Sequence, residues 1–190
     1  MGNDIYESGK LCRYGKIPGL EKTVSRMVFG TAIGPMIEGK NADELLDAAF
    51  AKGINTFDTA RGYGRAEESL GGWMKRRDNR EQVVVISKCG NCDSDGSVCV
   101  NRKVIETELA ESLQALQTDY IDIYLLHRDD PKTPVSEMID ALNELQKEGK
   151  IKVFGVSNWA HERIEEANRY AKEHQLPVSY THLTLPTKLE

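Results

Sequence analysis

Residues 54–88 read INTFDTARGYGRAEESLGGWMKRRDNREQVVVISK. Ile54-Asn-Thr-Phe-Asp58 is a short β-branched and aromatic run, as a strand prefers. Gly62 and Gly64 punctuate the loop that follows. Ala66 to Arg77 then predicts a helix. Val83-Val-Val-Ile-Ser-Lys88 is a second strand, and its unbroken apolar run suits a strand buried on both faces. A strand, a helix and a strand in that order make a parallel βαβ unit.

The same unit repeats on both sides. Before it, Ser25 to Gly30 predicts a strand and Asn41 caps a helix, with Glu44 placed as in a capping box. Leu45, Leu46, Ala49 and Phe50 form the apolar face of that helix, and Gly53 ends it. After it come a helix over 101–116 with Val104, Ile105, Leu109, Leu113 and Leu116 as its stripe, and a strand over 121–127. A helix over 135–148 ended by Gly149, a strand over 151–157 and a helix over 160–173 complete the pattern. Residues 10–25 do not fit it, and the Pro18-Gly19 turn there predicts a small hairpin. Strict alternation means a parallel sheet with helices outside it. The expected fold is α/β, a (β/α)8 TIM-barrel type present as a partial barrel of five to six units behind an N-terminal hairpin. A full barrel takes about 250 residues, and the chain has 190.

Composition excludes several function classes. Apolar residues make up 39% and are spread along the chain, which excludes a disordered polymer. No apolar run approaches the roughly 20 residues of a membrane span. A net charge of −5 without a basic stripe argues against nucleic acid as partner. The N-terminus lacks a secretory pattern, and Tyr6 stands where myristoylation wants Ser or Thr. A cytoplasmic protein is expected. Cys89, Cys92 and Cys99 form C-x2-C-x6-C, whose alternatives are a soft-metal site and a loop of free thiols. A fourth ligand and a second C-x2-C are not evident, so no metal is expected. After Val178 the helix-strand style stops. Residues 179–190 resemble a translated sequencing adaptor, so a barrel portion over 1–178 and a non-native tail over 179–190 are expected.

Chemistry in such folds gathers at the carboxyl ends of strands. Successive strands end in Asp58, Lys88, His127 and Ser157-Asn158, and Tyr63 follows Asp58 between two glycines. Singly, each has a plain structural role. Asp58 would be a turn residue, His127 a core histidine, and Lys88 a side chain reaching for water. Asn158 would be a helix N-cap. Together a carboxylate, an ammonium, an imidazole and a phenol make an acid. Lys88 stabilises the phenolate of Tyr63, Asp58 holds Lys88 charged, and Tyr63 donates a proton to a carbonyl oxygen that His127 orients.

The stretches Phe57-Asp-Thr-Ala-Arg-Gly-Tyr-Gly64, Ile86-Ser-Lys88, Leu125-Leu-His-Arg128 and Gly155-Val-Ser-Asn158 resemble the aldo/keto reductase family. The resemblance runs from about Lys16 to Val178. It implies a (β/α)8 barrel that reduces aldehydes and ketones, small carbonyl substrates, with NADPH or less often NADH. It implies Tyr63 as the acid, Lys88 and Asp58 as its tuning pair, and His127 as the orienter. It places Ser157 and Asn158 at the nicotinamide carboxamide, and Thr31, in Gly30-Thr-Ala-Ile-Gly34, against cofactor or substrate. The family's aromatic that stacks on the nicotinamide, and its basic grip on the phosphates, have no counterpart here. The expectation is therefore a fragment with a complete tetrad and an incomplete cofactor site.

Other readings stand beside this one: a non-catalytic nucleotide-sensing relative, a metal protein built on the cysteines, and a lyase using Lys88 as a Schiff base. Glu67-Glu68 reads as a charged helix start. Trp73 reads as a helix-to-barrel contact and Trp159 as a pocket residue.

Overall fold

The computed structural model describes residues 12–91 and 97–176. Two short strands, β1 (Tyr14–Gly15) and β2 (Val24–Ser25), pair antiparallel as the expected hairpin. Five strands then alternate with helices: β3 (Val28–Gly30), β4 (Thr56–Asp58), β5 (Val84–Cys89), β6 (Ile121–Leu126) and β7 (Ile151–Val156). They lie in chain order and every neighbouring pair is parallel. The helices are α1 (Gly34–Ile37), α2 (Asp43–Ala51), α3 (Ala66–Arg77), α4 (Arg102–Leu116), α5 (Val135–Lys147) and α6 (His161–Glu173). This is the partial (β/α) barrel read from the sequence. Any strand of a sixth unit, the tail over 179–190 and Cys92 lie outside the described residues.

Each sheet face has its own core. Outward residues such as Phe57, Val85, Tyr124, Leu126 and Phe154 pack against the helices. Inward residues Val84, Ile86, Ile123, Leu125 and Val153 form a second cluster. Leu20, Ile17 and Val24 of the hairpin segment join that cluster and cover part of the inner face. This is why β5 and β6 are buried at every position and why their sequences do not alternate. β3 and β7 are the sheet edges, and Met27 and Val28 beside the first are exposed.

The amino end of the sheet is held by charge. Asp122 is fully buried, and its carboxylate meets Arg80 at 2.8 Å, Lys22 at 3.0 Å and the Val85 N–H at 2.9 Å. Lys22 thereby ties the hairpin segment to β5 and β6. Tyr14 adds a bond from its hydroxyl to Gly53 O, at 2.6 Å.

Three local expectations change. Helix α2 starts one residue later than read: Ala42 is its N-cap. Asn41 instead accepts the Asp43 N–H at 2.7 Å, the short-range bond that Asn side chains favour. Glu44 then falls too early for a capping box. Leu45 is 46% exposed, because this nine-residue helix packs through Leu46, Ala49 and Phe50. The single turn α1 was not foreseen, and it buries Met36.

Candidate active site

The site residues converge because of how the strands are staggered. Asp58 lies opposite Ile86, so Lys88 stands two residues further along β5. Lys88 lies opposite Leu125, so His127 stands two residues beyond that level, just past β6. An even offset keeps all three on the inner face, since side chains alternate with period two. An odd offset would have sent one of them to the helices.

Lys88 is the hub. Its Nζ donates to Asp58 Oδ1 at 2.7 Å, to Thr59 O at 2.9 Å and to Tyr63 Oη at 3.4 Å. An ammonium has three N–H groups, and all three are engaged. The Schiff-base reading would have to strip these partners away. Lys88 also sits 4.9 Å from the centre of the Tyr63 ring.

Tyr63 rides a turn that two glycines allow, for different reasons. Gly64 has φ +57, and a Cβ there would meet Ile37 O at 2.7 Å. At Gly62 an added Cβ would meet Asn91 Nδ2 at 2.6 Å. The turn is fastened by Arg61 N to Lys88 O at 2.9 Å and Arg65 N to Ile37 O at 2.8 Å.

His127 meets Tyr63 edge-on, with ring centres 5.7 Å apart and planes at 79°. Burial, helped by the positive charges of Lys88 and Arg128, pushes its pKa down to about 4. The imidazole is therefore neutral near pH 7 and carries one N–H donor. Its Nδ1 is buried with no partner among the described residues.

Ser157 and Asn158 follow β7. Asn158 does not cap α6, whose N-cap is Ala160. It adopts φ +58 and donates from Nδ2 to His127 O at 2.9 Å and to Ser157 Oγ at 3.1 Å. Its amide donor is spent inside the protein, while the exposed side chain keeps its oxygen as an acceptor. An amide acceptor and a half-buried hydroxyl fit a carboxamide, so this end of a nicotinamide site is compatible with the residues present. Thr31 donates its N–H to Asp58 O at 2.9 Å, but its side chain is fully covered.

Several residues land elsewhere. The Trp159 indole is buried in the sheet–helix core and donates to Arg128 O at 3.1 Å. Trp73 is where the sequence put it, packed on Phe57 and Phe50 and bonded to Asp47 at 2.8 Å. Cys89 points into the helix layer, and burial raises its thiol to about 12. That suits a packing thiol. Cys99 is exposed. A groove of about 550 Å³ opens beside the hairpin, lined by Tyr14, Lys22, Phe50, Asn55 and Glu81. It lies at the opposite end from the tetrad. Thr59, whose carbonyl holds Lys88, carries no sequence signal, because every residue has that oxygen.

Comparison with known proteins identifies the family. The sequence profile of the aldo/keto reductase family matches residues 26–187. The chain is 36% identical over 165 residues to aldo-keto reductase YhdN of Bacillus subtilis, covering 82% of this chain and 50% of that protein. It is 35% identical over 148 residues to norsolorinic acid reductase B of Dothistroma septosporum, with coverage of 72% and 38%. It is 34% identical over 142 residues to aldo-keto reductase str7 of Strobilurus tenacellus, with coverage of 75% and 42%. The chain spans half or less of the length of these curated relatives. With most of its residues inside the profile match, the chain belongs to the aldo/keto reductase family.

Proposed function

We propose that this chain carries the proton-donating half of a carbonyl reductase that uses NADPH, with NADH as the lesser donor. The substrate would be a small aldehyde or ketone. One observation carries the reading: a single ammonium, Lys88, touches both the Asp58 carboxylate and the Tyr63 hydroxyl.

When bound, the nicotinamide supplies the hydride that reduces the carbonyl carbon. The chain's residues handle the oxygen. Tyr63 donates its proton to that oxygen as negative charge builds there. The phenolate left behind is stabilised by Lys88⁺ across 3.4 Å. Asp58 pairs with Lys88 and aims it. His127, neutral near pH 7, offers an N–H to the same oxygen and fixes its direction. Ser157 and Asn158 present a hydroxyl and an amide oxygen to the carboxamide, while Asn158 also holds the His127 backbone in place. Cys12 and Cys89 are buried free thiols, which suits a cytoplasmic, reducing location.

The test uses the 190-residue chain. NADPH and NADH are titrated in by cofactor fluorescence, and nicotinamide oxidation is followed with a panel of aldehydes and ketones. Tyr63→Phe should keep cofactor binding and lose turnover by about 10²–10⁴-fold. Turnover unchanged in that variant, or cofactor binding without turnover in the parent, overturns the reading.

A further inference from the structure

Glu67 has no part in the proton path, yet it is 1% exposed. Its neighbour Glu68 behaves as a helix start should, exposed and paired with Arg65. Glu67 turns the other way, into the layer between α3 and the sheet. Its Oε1 accepts the Ser87 hydroxyl at 2.6 Å. Its Oε2 is buried with no hydrogen-bond partner among the described residues, and Arg61 Nη1 stands 4.0 Å from it. Burial nevertheless raises the carboxyl above its usual range. A leucine would fill this layer without that penalty.

The position of the bond matters. Ser87 immediately precedes Lys88 on β5. Glu67 lies four residues after Tyr63, at the start of α3. The Glu67–Ser87 bond therefore joins, on the outer face, the two segments whose inner residues meet as Tyr63 and Lys88. Between Arg61 and Arg65 the turn that carries Tyr63 has two backbone ties among the described residues, Tyr63 N to Ala60 O at 3.0 Å and Ala66 N to Tyr63 O at 3.1 Å, and both are local. Arg61 N holds one end of this turn to Lys88 O of β5, and the start of α3 holds the other.

We propose that Glu67 is a positioning residue, whose bond to Ser87 locks the start of α3 against β5 and so sets the spacing of the Tyr63 hydroxyl from the Lys88 ammonium. The proposal rests on the reading of Tyr63 as the acid. Ser87 is the donor in this bond, so an acceptor oxygen at position 67 is what the tether requires, and the charge is secondary.

The test compares Glu67→Leu, Glu67→Gln and Ser87→Ala in the 190-residue chain. The direct readout is the nuclear Overhauser effect between Tyr63 ring protons and the Lys88 ε-methylene, with Tyr63 assigned through Tyr63→Phe. Glu67→Leu should melt no lower than the parent and yet lose this signal. Its kcat should fall roughly a hundredfold, the scale of a 1 Å misplacement, with KM unchanged. Glu67→Gln keeps the acceptor oxygen and should restore both. Should Glu67→Leu fail to fold, Ser87→Ala, which removes one oxygen, decides by the same signal. A folded variant lacking the tether but keeping the parent signal and kcat overturns the proposal. A parent chain that binds NADPH without reducing a carbonyl overturns the reductase reading alone, and the Overhauser signal still decides the tether.

Discussion

Lys88 Nζ donates to Asp58 Oδ1 across 2.7 Å, from a neighbouring strand and two residues further along. The two partners are unequally covered. The Lys88 side chain is 8% exposed and that of Asp58 27%. Removing one charge is therefore not equivalent to removing the other.

Asp58→Ala leaves a buried ammonium with only neutral partners. It should cost about 3 kcal/mol, as breaking a buried pair does. Lys88→Met leaves a carboxylate that still reaches water and adds apolar packing, so it should cost about 1 kcal/mol or less. Urea denaturation of both variants checks the asymmetry, and equal losses would contradict it.

His127 should make the fold sensitive to acid. Its folded pKa, about 4, lies below the ordinary 6.5. The unfolded chain therefore binds the proton first. The stabilisation is complete above pH 6.5, declines as pH falls, and is gone below about pH 4. The swing is up to about 3 kcal/mol, at 1.36 kcal/mol per unit. Buried Glu67, with its carboxyl raised, works in the opposite direction. The difference between parent and His127→Gln stability curves isolates the histidine, and it should flatten above pH 6.5.

Gly64 and Gly34 form a matched pair. Gly64 has positive φ, and a Cβ would press on Ile37 O. Gly64→Ala should cost about 2 kcal/mol and displace the turn bearing Tyr63. Gly34 has open space around it, and Gly34→Ala should change stability by no more than about 0.5 kcal/mol. Thermal melts of the two variants separate them.

Asp122 should be the main anchor of the hairpin segment. Asp122→Ala leaves Arg80 and Lys22 without their shared carboxylate and frees the Val85 N–H. The expected loss is about 3–5 kcal/mol. Hydrogen exchange should rise first at Arg26, whose N–H bonds Arg13 O across the hairpin. Unchanged protection there would assign the anchoring to the Tyr14–Gly53 bond instead.

The helices and strands were legible because their signals are local. Ala66 to Arg77 came out as read, and Gly53 and Gly149 end their helices with positive φ. Asn41 misled by one residue, since an Asn side chain satisfies an N–H two positions on as readily as it caps. Leu45 misled because apolar spacing does not say how wide a face a short helix buries. Trp159 misled because adjacency to Asn158 says nothing about side-chain direction: the strand end turns at Asn158, and the indole goes to the core.

Sequence alone determined the alternation of strand and helix, the order of the site residues at successive strand ends, and the family. These follow from residue types and spacing along one chain. Tertiary structure decided which of those residues meet. The two-residue stagger that gathers Asp58, Lys88 and His127 is a property of strand pairing. The third contact of Lys88 is a main-chain carbonyl that any residue would offer. The burial of Glu67 beside an exposed Glu68 depends on which side of α3 faces the sheet. Hydrogen bonds and desolvation act over a few ångströms through space, and only the packed chain sets those distances.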